Sequence, residues 1–186
     1  MSFEEVLVEQ CAPTLAKIKP ANLFYWKEEA EIPLQLKLKK WRKIFRQYGL
    51  EIIILKKFAC SGAYLIYVCR PEWLENILLA EDSRAFLSRQ GYKTDSLEML
   101  LAQLAGRLQH KEDFPHEIGL FLGYPLEDVT GFIRERGKNY RLCGHWKVYG
   151  DAQKARHLFN CYQKCTCFYK RMMAEGAPLK KLLVAA

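Results

Sequence analysis

The sequence predicts an α+β fold, in which a small, mainly antiparallel sheet is covered by several helices. Two β-branched and aromatic runs, 50–58 and 63–69, flank the turn Ala59-Cys60-Ser61-Gly62, which is the pattern of a β-hairpin. Strand and helix signals do not alternate regularly along the chain, as a doubly wound parallel sheet would require. A long helical pattern, about 151–174, closes the chain. A length of 186 residues suits one compact domain, so a single domain over 1–186 is expected.

The elements follow in order. Residues 3–17 read as a helix with Phe3, Val6, Leu7, Cys11 and Leu15 at near-helical spacing, and Pro13 predicts a kink or an early stop. Leu23-Phe24-Tyr25-Trp26 is a short aromatic strand. Over 32–48, Leu34, Leu38, Trp41, Phe45 and Tyr48 share one helix face, and Gly49 stops the helix. After the hairpin, Pro71 opens a helix at its first turn, with Trp73, Ile77 and Leu78 on its apolar side. Asp82 is expected to cap a short helix that ends before Gly91. Asp95 with Glu98 three residues on predicts a capping box ahead of the stripe Leu97, Leu100, Leu101, Leu104, Leu108. Two short helices, 115–122 and 126–136, are split by Gly123-Tyr124-Pro125, and 142–149 reads as a further strand. The final helix carries Ala155, Leu158, Phe159, Tyr162, Cys165, Tyr169 and Met172 on one side, and the tail from Leu179 is apolar enough to dock.

Composition excludes whole classes. Half the residues are apolar and 13% are aromatic, which excludes a disordered chain. No apolar run approaches the ~20 residues that cross a bilayer. Glu4, Glu5 and Glu9 stand where a secretory leader would be basic, so a soluble, cytoplasmic protein is expected. The seven cysteines are odd in number, irregular in spacing and free of any Cys-x-x-Cys, which excludes a zinc ribbon and a thioredoxin motif and points to reduced thiols. The net charge of +8 is uneven: residues 31–58 and 151–186 are strongly basic, the rest nearly balanced. Two basic segments on one face would attract an acidic partner or nucleic acid; separately they are solvated helix faces.

The densest segment is 114–150. It runs through Phe114-Pro115-His116-Glu117-Ile118-Gly119, Leu122-Gly123-Tyr124-Pro125, Asp128-Val129, Gly131-Phe132-Ile133, Gly137-Lys138-Asn139 and Gly144, to Trp146-Lys147-Val148-Tyr149-Gly150. With these residues, and with the ending Val184-Ala185-Ala186, the chain resembles domain-of-unknown-function family 3793 over nearly its whole length. The resemblance implies a small bacterial protein of anaerobes and assigns no activity, cofactor or catalytic residue.

Four constellations have chemical content. Ile118-Gly119-x-x-Leu122-Gly123 followed by Asp128-Val129-x-x-Phe132-Ile133 has helix-turn-helix spacing. A DNA reader would put the start of its second helix in the major groove, yet Glu127 and Asp128 stand there and suit a helix N-terminus instead. Cys143, His145, His157, Cys161 and Cys165 offer thiolate and imidazole ligands for zinc, iron or haem, the last three recurring every four residues of one helix. Against this, Cys161 and Cys165 border the apolar stripe and suit a core equally. Cys60 or Ser61 could act as a nucleophile with His116 or His145 as base, but no nucleophile motif surrounds them, and Leu120 replaces the second histidine of a zincin. Finally, Lys40, Arg42, Lys43 and Arg46 surround Trp41, and Tyr140, Arg141, Trp146 and Lys147 recur later, a mixture that suits single-stranded nucleic acid unless Trp41 is buried with its apolar face.

The reading that accounts for most of this is a non-catalytic accessory or regulatory binding protein. Its candidate binding residues are His116, Cys143, His145 and Trp146, and its partner is a protein or an acidic ligand. The alternatives are a metal-, haem- or redox-linked protein using the Cys/His set, and a nucleic-acid binder using the helix-turn-helix-like unit and the basic helices. The sequence specifies no cofactor and no catalytic residue.

Overall fold

The computed structural model describes residues 1–27, 33–110 and 114–185. The expected first helical residue Ile32 and the terminal Ala186 lie outside them. The chain forms two compact units: Met1–Glu72 with Lys164–Ala186, and Trp73–Gln163.

The first unit holds a three-stranded antiparallel sheet in the order β1-β3-β2, formed by β1 (Ala21–Lys27), β2 (Glu51–Lys57) and β3 (Ala63–Cys69). Helix α1 (Phe3–Leu15) packs on β1 and β3, and α2 (Leu34–Arg46) packs on β2. The Ser2 hydroxyl accepts from Glu5 N–H while the Glu5 carboxylate accepts from Ser2 N–H, so a capping box starts α1. Pro13 sits inside the helix, which ends two residues later. The α2 stripe is buried as its spacing predicts: Leu34, Leu38, Trp41 and Phe45 join Phe3, Leu7, Phe24, Ile52, Ile66 and Val68 in one core. Each such side chain contributes about 1.5–3 kcal/mol relative to exposure. Phe3 meets Trp26 edge to face at 5.0 Å. Gly49, at φ 64, ends α2's last turn.

A buried arginine ties this unit together. Arg70 donates to the carbonyls of Thr14, Leu15, Tyr48 and Val184 at 2.8–3.1 Å. It thereby satisfies C-terminal carbonyls of α1, which has no basic residue in its last turn. The tail docks as expected: Leu179 and Leu183 enter the core, Tyr169 Oη donates to Leu182 O, and Val184 N–H donates to Leu15 O.

The second unit takes most of α3 (Pro71–Leu78), with α4 (Glu81–Arg89), α5 (Leu97–His110), α6 (Ile118–Phe121) and α7 (Leu126–Glu135). A two-residue-per-strand hairpin follows, β4 (Leu142–Cys143) with β5 (Lys147–Val148). Then comes α8 (Ala152–Ala174), whose residues from Lys164 onward belong to the first unit.

Four local expectations change. Ala80, not Asp82, precedes α4, and Asp82 lies in its first turn. Ser96, not Asp95, caps α5, its hydroxyl accepting from Met99 N–H at 3.2 Å. The expected strand over 142–149 turns back on itself at Gly144-His145-Trp146, because Gly144 N–H bonds Trp146 O and closes a turn. Leu158 is exposed rather than on the buried side of α8.

Candidate functional site

The 114–150 segment folds into a small assembly within the second unit. Its helix-turn-helix spacing is real: α6 and α7 pack together across Gly123, which takes φ 82. The two helix glycines have a specific cause. A Cβ on Gly119 would stand 2.6 Å from the Trp146 ring, and one on Gly131 would stand 2.5 Å from Tyr149 Cγ. The glycines are contact points for the aromatic residues of the following hairpin.

Asp128 also serves that contact. It is buried, and its carboxylate accepts from Tyr149 N–H at 2.7 Å and Gly150 N–H at 2.9 Å. The acid that opposed DNA reading is therefore a clamp between α7 and the chain after β5. Glu117 is consumed likewise. It accepts from Tyr92 Oη at 3.1 Å and from Arg107 at 3.0 Å, while the guanidinium lies 3.8 Å from the Tyr92 ring centroid and donates to Gln90 O. Burial raises the Tyr92 hydroxyl well above the tyrosine range, with the Glu117 charge adding to the shift, so the phenol stays a donor.

Of the candidate binding residues, His116 and Trp146 come together. Both rings pack on Phe132, at 4.9 Å and 5.3 Å, and Tyr124 stacks on Trp146 at 5.0 Å. Lys147 lies 5.8 Å from the Phe132 centroid and 5.0 Å from that of Tyr140, and donates to Gly137 O at 2.7 Å. His116 and Tyr140 are exposed at this cluster. Trp146 Nε1 is buried without a hydrogen-bond partner among the described residues. The His145 ring is edge-on to Phe159 at 5.4 Å and to Tyr162 at 5.6 Å, and Cys143 is exposed on β4.

The Cys/His set is spread out. His157 Nε2 and Cys161 Sγ approach to 3.7 Å on the exposed side of α8. Cys165 packs against the core of the first unit, where burial pushes its thiol up to about 11. Among the described residues no group of three or more His, Cys, Asp or Glu side chains is placed to hold a metal ion. Cys60 is exposed at the hairpin turn of the first unit, and Ser61 Oγ accepts from Ala63 N–H at 3.3 Å, as a turn hydroxyl does.

The structure also separates charge in a way the linear count blurs. The first unit holds 17 basic and 9 acidic residues, a formal +8, and the second holds 12 of each. Trp41 is buried, so the aromatic–basic mixture on α2 is a cation surface alone. Lys40 pairs with Glu4 at 3.0 Å, Lys37 lies over Trp26, and Arg42 donates to Ile52 O. Lys39, Lys43 and Arg46, at i, i+4 and i+7, form an exposed row with no ion pair among the described residues.

The family model described as "Protein of unknown function (DUF3793)" matches residues 7–183, and the chain belongs to that family. No curated protein matches the chain. No solved structure matches it. No described helix is long and apolar enough to cross a membrane.

Proposed function

We propose that the chain is a non-catalytic accessory or regulatory binding protein whose first unit holds an acidic, multiply charged partner. The observation that carries this is the segregation of the whole net charge of +8 into that unit, together with the exposed row Lys39, Lys43, Arg46. A row of cations at helical spacing meets a row of anions, and the counterions of both are released on contact. The titratable side chains of the 114–150 segment support a binding role from the other side. Glu117, Asp128 and Lys147 are each engaged in internal bonds that position helices rather than substrates. Retention on a heparin column tests the reading: late elution that falls as salt rises is expected, and elution with the void at low salt would overturn it.

The exposed edge of the His116, Phe132, Trp146, Tyr140 cluster favours a second reading, a protein-contact surface on the second unit. Partly exposed aromatic rings beside a lysine suit a protein interface. Replacing His116 and Tyr140 with Ala would then abolish capture of a natural partner while leaving heparin retention unchanged.

A further inference from the structure

All three strands of the first unit reach the same end of the sheet, since Lys27 of β1 pairs with Ala63 and Lys57 of β2 pairs with Tyr64. Cross-strand partners share a face. Tyr25 pairs with Leu65, and Leu65 pairs with Lys56, so Tyr25 and Lys56 lie on one side. Lys27 pairs with Ala63, and Phe58 N–H bonds Ala63 O, which puts the next row on the same side. A bulge decides this arrangement. The register shifts between Ile54 and Lys56, so Leu55 is the extra residue and Lys56 takes the place opposite Leu65. In an unbroken ladder Leu55 would sit there and Lys56 would face the other way.

The result is an open aromatic and basic corner. The Tyr25 and Phe58 rings lie 5.4 Å apart, tilted by 40°. Tyr25 is 62% exposed, and Lys56 Nζ lies 5.1 Å from the Phe58 centroid. Lys27 is exposed beside them. An exposed tyrosine flanked by lysines on a sheet face has a planar, anionic ligand as its chemical complement.

The geometry points to a seat for single-stranded nucleic acid on this corner, with unpaired bases stacking on Tyr25 and Phe58 and a backbone phosphate meeting Lys27. This rests on the reading that the first unit holds a polyanion and names its class. Bases in a duplex already stack on each other, so a ring platform selects the single strand. A lipid surface fits less well. The turn that would enter it, Ala59-Cys60-Ser61-Gly62, carries no large apolar side chain.

The test is fluorescence anisotropy of a labelled oligothymidylate of about 12 nucleotides, against a duplex of equal length and against anionic phospholipid vesicles. Tighter binding of the single strand is expected, with Tyr25→Ala and Phe58→Ala each weakening it about tenfold and Tyr25→Trp preserving it. Tyr25 is exposed enough that its replacement leaves the fold intact, so Tyr25→Ala decides the matter should Phe58→Ala unfold the hairpin. Equal affinity for strand and duplex, unchanged by the ring variants, overturns the seat and leaves the polyanion reading standing. Ring-dependent binding to vesicles with none to oligonucleotide overturns the nucleic-acid assignment. Failure of all three probes together with loss of heparin retention overturns both readings.

Discussion

The two units use their charged side chains in opposite ways. In the second, Arg107 meets Glu117, Asp128 accepts two backbone N–H bonds, and Lys147 caps a carbonyl. Its formal charges cancel, and its most eye-catching residues hold α6, α7 and the β4–β5 hairpin together. In the first, a single buried guanidinium does the joining, and a row of cations faces water. A segment dense in Gly, His, Cys and Trp thus turns out to be a packing device. A plain lysine-rich helix carries the chemically open surface.

That contrast can be broken by substitution. Arg70→Met should have one of the two largest effects, since it strands four carbonyls. A loss of about 4 kcal/mol is expected in urea unfolding of the first unit. A loss below about 1 kcal/mol would show that the guanidinium is not the joint. The effect at Lys19 is of similar size. It is buried, and burial holds its ammonium down to about 7, below the unfolded lysine value. The unfolded chain then binds more protons than the folded one between pH about 7 and about 10, so stability rises with pH across that window, by about 4–5 kcal/mol. Lys19→Met should flatten the rise; an unaltered profile in thermal scans at successive pH values would contradict it.

Smaller effects are expected in the second unit. Asp128→Ala removes two charge-assisted bonds to the chain after β5 and should cost about 2 kcal/mol without altering heparin retention. Gly131→Ala is smaller still and informative in sign. Alanine favours a helix by about 0.5–1 kcal/mol, but here its Cβ would strike Tyr149 at Cβ and Cγ, close to the backbone, where the side chain cannot swing away. A net loss of about 1–2 kcal/mol by denaturant titration supports the glycine–aromatic contact, and a gain would refute it.

The sequence shows some of this and hides the rest for physical reasons. The α2 stripe Leu34, Leu38, Trp41, Phe45 is legible because 3.6-residue periodicity survives intact, and the hairpin is legible because two β-branched runs bracket a small-residue turn. The role of Arg70 is not, since its partners run from Thr14 to Val184 and no local pattern encodes them. The strand at Leu23-Phe24-Tyr25-Trp26 is visible, but four aromatic or apolar residues in a row conceal that Phe24 and Trp26 point inward while Tyr25 faces solvent. The bulge that re-aims Lys56 is equally hidden, because Ile54-Leu55-Lys56-Lys57 fits either register. In the candidate site, His116 and Trp146 do share a cluster, through Phe132, while the Cys/His spacing on α8 yields one close pair. Side chains four residues apart reach each other along a helix, but convergence with Cys143 depends on tertiary placement that spacing does not encode.

The central claim, that the first unit is the polyanion-binding one, is tested most directly by the salt dependence of binding to heparin. Wild type should be compared with Lys39→Gln/Lys43→Gln/Arg46→Gln and with Arg134→Gln/Arg136→Gln/Lys138→Gln. Replacing the α2 row should reduce the slope of log affinity against log salt, because fewer counterions are released on contact, with unfolding stability unchanged within about 0.5 kcal/mol. The α7 variants should leave the slope as it is. An unchanged slope in the α2 variant, or an equal fall in the α7 variant, would contradict the account.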